Sequence, residues 1–202
     1  MAAEQGDVLL SLSWIYESTP ADLSALSLAV VSEVAECLVG LYRLPIKIKW
    51  PNDLLLSDAK LAGFIVDVET GANCRVTIGM GLNVASRESF LLNKVDQPIT
   101  SISNAGVQNV DRSRLISNVV DRLVKLLMAY PQTGFAAYQS KWESHAAYIG
   151  EQIILQRRSD TENELIISGV LEGVDEQGCL CVHDQSGEVH KIVDSELSLR
   201  LL

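Results

Sequence analysis

The feature that most limits how this chain folds is the run from Ile46 to Asp53, in which Ile46, Ile48 and Trp50 alternate with Lys47 and Lys49 until Pro51 intervenes. Strict alternation is the period of a half-buried strand, with one face in a core and both lysines on the other. Pro51 has no N–H to donate and disfavours a helical Trp50, so the strand must stop there in a turn that suits Asn52 and Asp53. A second apolar run, Leu54 to Leu56, then leads through Ser57-Asp58-Ala59 to Lys60. The result is a short hairpin-like unit carrying Lys49, Asn52, Asp53 and Lys60 near a single edge. A tight turn with solvated charges would account for this stretch taken alone. Three lysines so close together in a chain of net charge −10 point instead to a local anion site.

The flanking sequence supplies a sheet and helices around that unit. Val8 to Trp14 is apolar with strand-favouring positions and predicts a central strand. Thr19 and Pro20 predict a helix start with Asp22 near the positive end of its dipole. Leu23, Leu26, Val30, Val34 and Cys37 form its apolar stripe, and Gly40 is its expected stop. Leu61 to Val68, almost unbroken apolar, predicts a strand covered on both faces. In the stretch Cys74 to Val84 the alternation is cleanest, with Cys74, Val76, Ile78, Met80, Leu82 and Val84 on one face and Arg75, Thr77, Gly79, Gly81 and Asn83 on the other. Successive glycines on one face mark a close approach by a ligand or by another backbone. We expect a groove floor with Asn83 at its rim, although a crossing helix would use the same pattern.

Residues 86–108 read as a long polar surface excursion. Asp111 caps a predicted helix whose apolar face is Ile116, Val119, Val120, Leu123, Leu126, Leu127 and Tyr130 and whose expected end is Pro131; Phe135, Tyr138 and Trp142 mark a shorter one. From Ile149 the texture changes to short strands, Gln152 to Gln156, Leu165 to Val174, Cys179 to His183 and Glu188 to Ile192, separated by turn residues. The expected architecture is α+β: a mixed central sheet with packed helices over 1–148, then a small β-barrel over 149–202.

Charge and composition narrow the function classes. Sixteen Lys and Arg against twenty-six Asp and Glu argue against a broad phosphate-backbone footprint, so DNA is not an expected partner. No apolar run approaches the ~20 residues of a membrane helix, and Met1 to Gln5 has neither a basic start nor an apolar signal core, so the expected location is cytoplasmic with no membrane association. Cys37, Cys74, Cys179 and Cys181 contain no C-x-x-C pair and stand beside no histidine at ligand spacing, so they read as buried free thiols and no fixed metal site is expected. His145, His183 and His190 are scattered, and no Ser-His-Asp or Cys-His set assembles.

Taken together, K-W-P-N-D at Lys49 to Asp53, K-L-A-G at Lys60 to Gly63 and G-M-G-L-N at Gly79 to Asn83 closely resemble the catalytic core of biotin protein ligases. GVDEQGCL and Glu196-Leu197-Ser198-Leu199-Arg200 resemble the Src-homology-3-like C-terminal domain of the same family, whose catalytic fold is of the class II synthetase and biotin/lipoate ligase type. The resemblance implies ATP-dependent activation of biotin to biotinyl-5′-adenylate and transfer to a lysine of a biotin carboxyl carrier protein, as in acetyl-CoA carboxylase. By that likeness Lys60 stabilises the reacting carboxylate and α-phosphate, and Gly63, Gly79 and Gly81 lie against biotin and its adenylate. Lys49, Asn52, Asp53 and Asn83 serve the nucleotide and its phosphates, with Mg2+ arriving with ATP near Asn52 and Asn83. The family's Gly/Arg-rich loop, expected ahead of Val8, does not occur in this sequence. Two other readings therefore stand beside the ligase: a truncated or non-catalytic relative acting as a binding or assembly module, and a relative acting on another acyl chain such as lipoate. The same departure predicts that Val8, Leu9, Leu10 and Leu12 are left unburied. It further predicts that the chain is a homodimer or pairs with a complementing fragment, and that alone it makes little adenylate.

Overall fold

The computed structural model describes residues 6–85, 97–157, 164–193 and 197–202. Strand β1 (Val8–Tyr16), helix α1 (Leu26–Tyr42), strands β2 (Ile46–Lys49), β3 (Asp53–Leu56), β4 (Ala59–Thr70) and β5 (Cys74–Leu82), and helices α2 (Arg112–Thr133) and α3 (Ala136–His145) form the first unit. Its five strands lie in the order β1-β5-β4-β3-β2, and every ladder is antiparallel. The mixed sheet expected from the sequence is thus corrected. Consecutive strands joined by tight turns can only pair antiparallel, and parallel pairing among the described residues is confined to the isolated bridges Ile48 to Ala146 and Lys60 to Ile99.

The alternation in β5 reads out as expected, since Cys74, Val76, Ile78, Met80 and Leu82 are all buried. The strand β4 does not have two covered faces. Phe64 is buried, but Ile65 is 72% exposed, because the helices pack on one side of the sheet. The same open side takes Leu9, 86% exposed, whereas Val8 beside it is buried and Leu10 and Leu12 are partly so.

Helix α1 is not a stripe laid on a sheet but is buried on almost every side, from Leu26 to Leu38, between the sheet, α2 and α3. It begins at Leu26 rather than at Thr19, because the Asp22 carboxylate accepts from the Ser24 N–H (2.8 Å) and Oγ (2.7 Å) and closes a local turn of its own. It passes Gly40 and ends where Arg43 turns left-handed (φ 54°) and donates its N–H to the Val39 carbonyl. A carboxylate so deep requires cations: Glu33, 8% exposed, is paired with Arg122 of α2 at 3.1 Å and with Lys141 of α3.

Asp111 caps α2 as expected, accepting from the Arg114 N–H at 2.9 Å. Pro131 does not stop that helix, which runs to Thr133. A proline there removes the donor that would serve the Leu127 carbonyl, and the Tyr16 hydroxyl donates to that carbonyl instead, at 2.7 Å.

The second unit holds β6 (Gln152–Arg157), β7 (Glu164–Val174), β8 (Leu180–His183), β9 (Val189–Ile192) and β10 (Leu197–Leu201), an antiparallel sheet in the order β10-β6-β7-β8-β9. Ile153, Leu155, Leu171, Leu180, Val182, Leu197 and Leu199 form its buried side. It is tied to the first unit by Gln139 Nε2 of α3, which donates to the Val174 carbonyl (2.9 Å). Gly178 (φ +79°) lies so close to α1 that a Cβ there would sit 2.4 Å from that of Ala25. All four thiols are free, but only Cys37 and Cys74 are buried; Cys179 and Cys181 are half-buried. Of the excursion over 86–108, residues 86–96 lie outside the described residues, as do Met1 to Gln5 and Glu196. Among the described residues no helix is long and apolar enough to cross a membrane.

Candidate active site

A register shift decides where Lys60 points. Asp53 faces Gly63 and Leu54 faces Ala62 across β3 and β4, so an unbroken ladder would set Leu55 against Leu61; Leu55 instead faces Lys60. The extra residue in β4 brings Lys60 onto the face shared by Asp53 and Gly63, as a bulge does when it re-aims a side chain. There Lys60 Nζ lies 2.6 Å from Asp53 Oδ1. Gly63 leaves the room for this pair, since a Cβ at 63 would stand 3.1 Å from Lys60 Nζ and 3.2 Å from Asp53 Oδ1.

The turn after β2, with its cis Trp50–Pro51 bond, is fastened to β4 by Asn52. Its Nδ2 donates to the Phe64 carbonyl at 2.7 Å, and its own carbonyl accepts from the Phe64 N–H at 3.0 Å. Asn83, just past β5, donates from Nδ2 to the Lys60 carbonyl at 3.3 Å. Both amides therefore keep an oxygen free of these bonds, and both side chains line the same space.

That space is a cavity of about 540 Å3 where the two units meet, lined by Lys49, Asn52, Asp53, Lys60, Gly63, Gly81 and Asn83. These are seven of the eight site residues expected from the sequence. Gly79 is outside the lining, two positions along the same open face of β5, opposite Ser11 and Ile65. Asp7, Leu9, Gln97, Ile99 and the β10 residues Leu197 to Arg200 also line it. Sequence reasoning did not place them there, and only the alternation of β10 hinted that Arg200 shares a face with Ser198.

Three cations, Lys49, Lys60 and Arg200, thus meet two carboxylates, Asp7 and Asp53, in a chain that is acidic overall. Burial pushes the Lys49 ammonium below the usual lysine range, Asp53 pulls it back up, and Arg200 and Lys60 push it down again. Packing like charges this way is costly, and the carboxylates of Asp7 and Asp53 on the same wall offset part of that cost. Among the described residues the one group with metal-donor spacing, Asp184, Glu188 and His190, lies away from this cavity in the β8–β9 hairpin. The Asp184 carboxylate there already accepts from Ser186, from the Glu188 N–H and from His190 at 2.7 Å, which makes it the hairpin's turn cap.

Comparison with known proteins agrees with this geometry. Residues 3–83 match the biotin/lipoate A/B protein ligase family. Over 199 residues, 96% of the chain, the sequence is 35% identical to the bifunctional ligase/repressor BirA of Escherichia coli (strain K12), of which it covers 59%. Over 162 residues it is 29% identical to the biotin–(acetyl-CoA-carboxylase) ligase of Mycobacterium tuberculosis, covering 78% of this chain and 54% of that one. The chain therefore spans little more than half the length of these relatives. Among solved structures, the biotin protein ligase of Aquifex aeolicus in complex with biotin and ATP superposes with a TM-score of 0.78 at 25% identity, covering 96% of this chain and 79% of that one. With the motif residues gathered on one cavity, this protein is similar to biotin protein ligases along nearly its whole length, and residues 3–83 carry the biotin/lipoate A/B protein ligase match.

Proposed function

We propose that this chain carries out the biotin protein ligase reaction. A biotin carboxylate oxygen attacks the α-phosphorus of ATP and pyrophosphate leaves. The amine of a carrier-protein lysine then attacks the biotinyl carbonyl of the adenylate, an amide forms, and AMP leaves with the anhydride oxygen. The observation that carries this reading is the convergence of Lys49, Lys60 and Arg200 on one cavity floored by Gly63 and Gly81. In it, Lys60 neutralises charge on the reacting carboxylate and α-phosphate, while Lys49 and Arg200 hold the phosphates. A fixed donor of this kind in a site shielded from water supplies ~3–4 kcal/mol of barrier lowering. Gly63, Gly79 and Gly81 let the ligand lie against the sheet, and Asp53 holds Lys60 until the anion arrives.

The free amide oxygens of Asn52 and Asn83 suit Mg2+, which takes oxygen donors and is usually carried in on nucleotide phosphates. That ion would supply charge neutralisation on the phosphates. The acceptor is a biotin carboxyl carrier protein of the acetyl-CoA carboxylase type, and the reaction belongs in the cytoplasm, where ATP and such carriers meet. We read residues 1–148 as the catalytic domain and 149–202 as a Src-homology-3-like barrel, supported by the strand order and small core of the second sheet. A homodimer or a complementing fragment is supported by β1, an edge strand whose open face carries the exposed Leu9 and Ile15, with Ile65 exposed on the same side of the sheet in β4.

The test is to incubate the purified chain with biotin, MgATP and an apo carrier domain, following pyrophosphate exchange and the mass of the carrier, with sedimentation velocity at micromolar concentration beside it. Exchange together with a biotinyl mass gain on one carrier lysine supports the reading. Absence of both, in the chain alone and after mixing with a family N-terminal fragment, overturns it.

A further inference from the structure

Four polar side chains at the cavity form one continuous chain of contacts. Lys60 Nζ meets Asp53 Oδ1 at 2.6 Å, Asp53 Oδ2 accepts from Gln97 Nε2 at 3.2 Å, and Gln97 Oε1 accepts from Lys49 Nζ at 3.0 Å. The neutral link in this chain serves a carboxylate and an ammonium at once, from opposite sides of one planar group, because a primary amide carries both donors and an acceptor. Its backbone is also registered on Lys60: the Lys60 N–H donates to the Pro98 carbonyl at 2.8 Å, and the Thr100 N–H donates to the Lys60 carbonyl at 2.9 Å. The amide of Gln97 is therefore fixed relative to the lysine it does not touch.

In this arrangement the charge of Lys60 is committed to Asp53. If Lys60 acts on the substrate anion, as in the reading above on which this inference rests, its ammonium must leave Asp53 when that anion enters. Asp53 is a poor group to strand, because its side chain is only 15% exposed and a carboxylate deprived of its partner in such a place is costly. Lys49 has a related difficulty, since burial and two neighbouring cations work against its charge.

We propose that Gln97 is a positioning residue for the reaction, one that holds Asp53 by Nε2 and Lys49 by Oε1 so that Lys60 can be handed from Asp53 to the incoming anion. With Gln97 in place, Asp53 keeps a hydrogen bond after Lys60 departs, and Lys49 stays charged and aimed at the cavity as the second cation. Nothing in the local sequence marks this role: Gln97 lies well after the K-W-P-N-D turn and belongs to none of the motif words.

The experiment compares wild type with Gln97→Leu, which removes both bonds at nearly the same size, and with Gln97→Glu, which keeps an acceptor for Lys49 but sets a carboxylate against Asp53. Three quantities are read: the melting temperature, the kcat and KM of ATP-dependent pyrophosphate exchange, and the acetylation rates of Lys49 and Lys60 by mass spectrometry across pH 7–10. In Gln97→Leu, Lys49 loses an acceptor and is acetylated faster, while Asp53 is left to Lys60 alone and Lys60 is acetylated more slowly. The ratio of the two rates should rise about tenfold, which corresponds to ~1.4 kcal/mol. The exchange kcat should fall by at least about tenfold, the KM for biotin should stay within twofold, and the melting temperature should hold. In Gln97→Glu the Lys49 rate should return toward wild type while the kcat stays low. An acetylation ratio within twofold of wild type in Gln97→Leu, or a loss of kcat matched by a loss of folding, overturns the proposal. If wild type exchanges no pyrophosphate but the ratio still shifts, the hold of Gln97 on both lysines is supported and the ligase reading is what fails.

Discussion

Removing the Tyr16 hydroxyl should expose what the structure uses to tolerate Pro131. The Leu127 carbonyl faces a proline where a helix would supply its donor, and the Tyr16 hydroxyl donates to it at 2.7 Å. Tyr16→Phe leaves the ring and its edge contact with Trp14 in place while stripping that carbonyl of its side-chain donor. An unsatisfied buried acceptor costs ~1–3 kcal/mol. At ~2–4 °C per kcal/mol for a chain of this size, the melting temperature should fall by roughly 2–12 °C. The discriminating assay is a double-mutant cycle read by urea denaturation. Pro131→Ala gives residue 131 an N–H that can serve the same carbonyl, so in that background Tyr16→Phe should cost about 1 kcal/mol less than in wild type. Strict additivity, within ~0.5 kcal/mol, would refute the idea that the hydroxyl stands in for the missing amide. There is also a pH signature. Burial, with smaller contributions from Cys74 and Tyr138, pushes the Tyr16 phenol up to about 12. Because the folded state holds this proton more tightly than an unfolded phenol near 10, its stabilisation is complete below about pH 10 and is lost as pH rises through about 12. Wild type should therefore lose stability more steeply than Tyr16→Phe across that window, the other buried phenols titrating in both proteins.

Three further outcomes follow from the site. Lys60→Ala should lower pyrophosphate exchange by roughly 10²–10³-fold, as loss of a single well-placed donor does, while shifting the melting temperature little, since the Lys60–Asp53 pair is partly exposed; exchange within a few-fold of wild type would remove Lys60 from the chemistry. Arg200→Ala should raise the KM for ATP at least about fivefold and leave biotin affinity within twofold, as measured by titration calorimetry, because Arg200 reaches the cavity from the second unit beside Lys49; equal losses for both ligands would point to collapse of the unit interface instead. Gly79→Val should weaken biotinyl-adenylate binding at least about tenfold with the fold intact, since a Cβ there meets nothing closer than Ile65 at 3.9 Å and fills only the open face; unchanged affinity would confine the ligand to the cavity proper.

Local period carried much of this fold into view, and its failures are of one physical kind. The strands β2 and β5 were legible because each is set by its own two-residue alternation, and the grouping of Lys49, Asn52, Asp53 and Lys60 on one cavity was legible because they lie within one hairpin. The start of α1 was not, since the preference of Thr19-Pro20 for a helix opening lost to a turn that Asp22 closes on Ser24, two residues away. Period also misleads for Lys60. It lies three positions before Gly63, so in a regular strand they would face opposite sides, and only the register shift against Leu55 turns both toward Asp53. Where the governing contact spans the chain, no pattern of neighbours can announce it. The donor for Leu127 comes from β1, the cations for Glu33 come from α2 and α3, and Gln97 and Arg200 reach the cavity from segments with no motif in common. These are also the contacts that decide whether a lysine is free or committed. The sequence therefore locates the positive charge of the cavity, but the bonds that hold Lys60 on Asp53, and Asp53 in turn on Gln97, exist only in the folded packing.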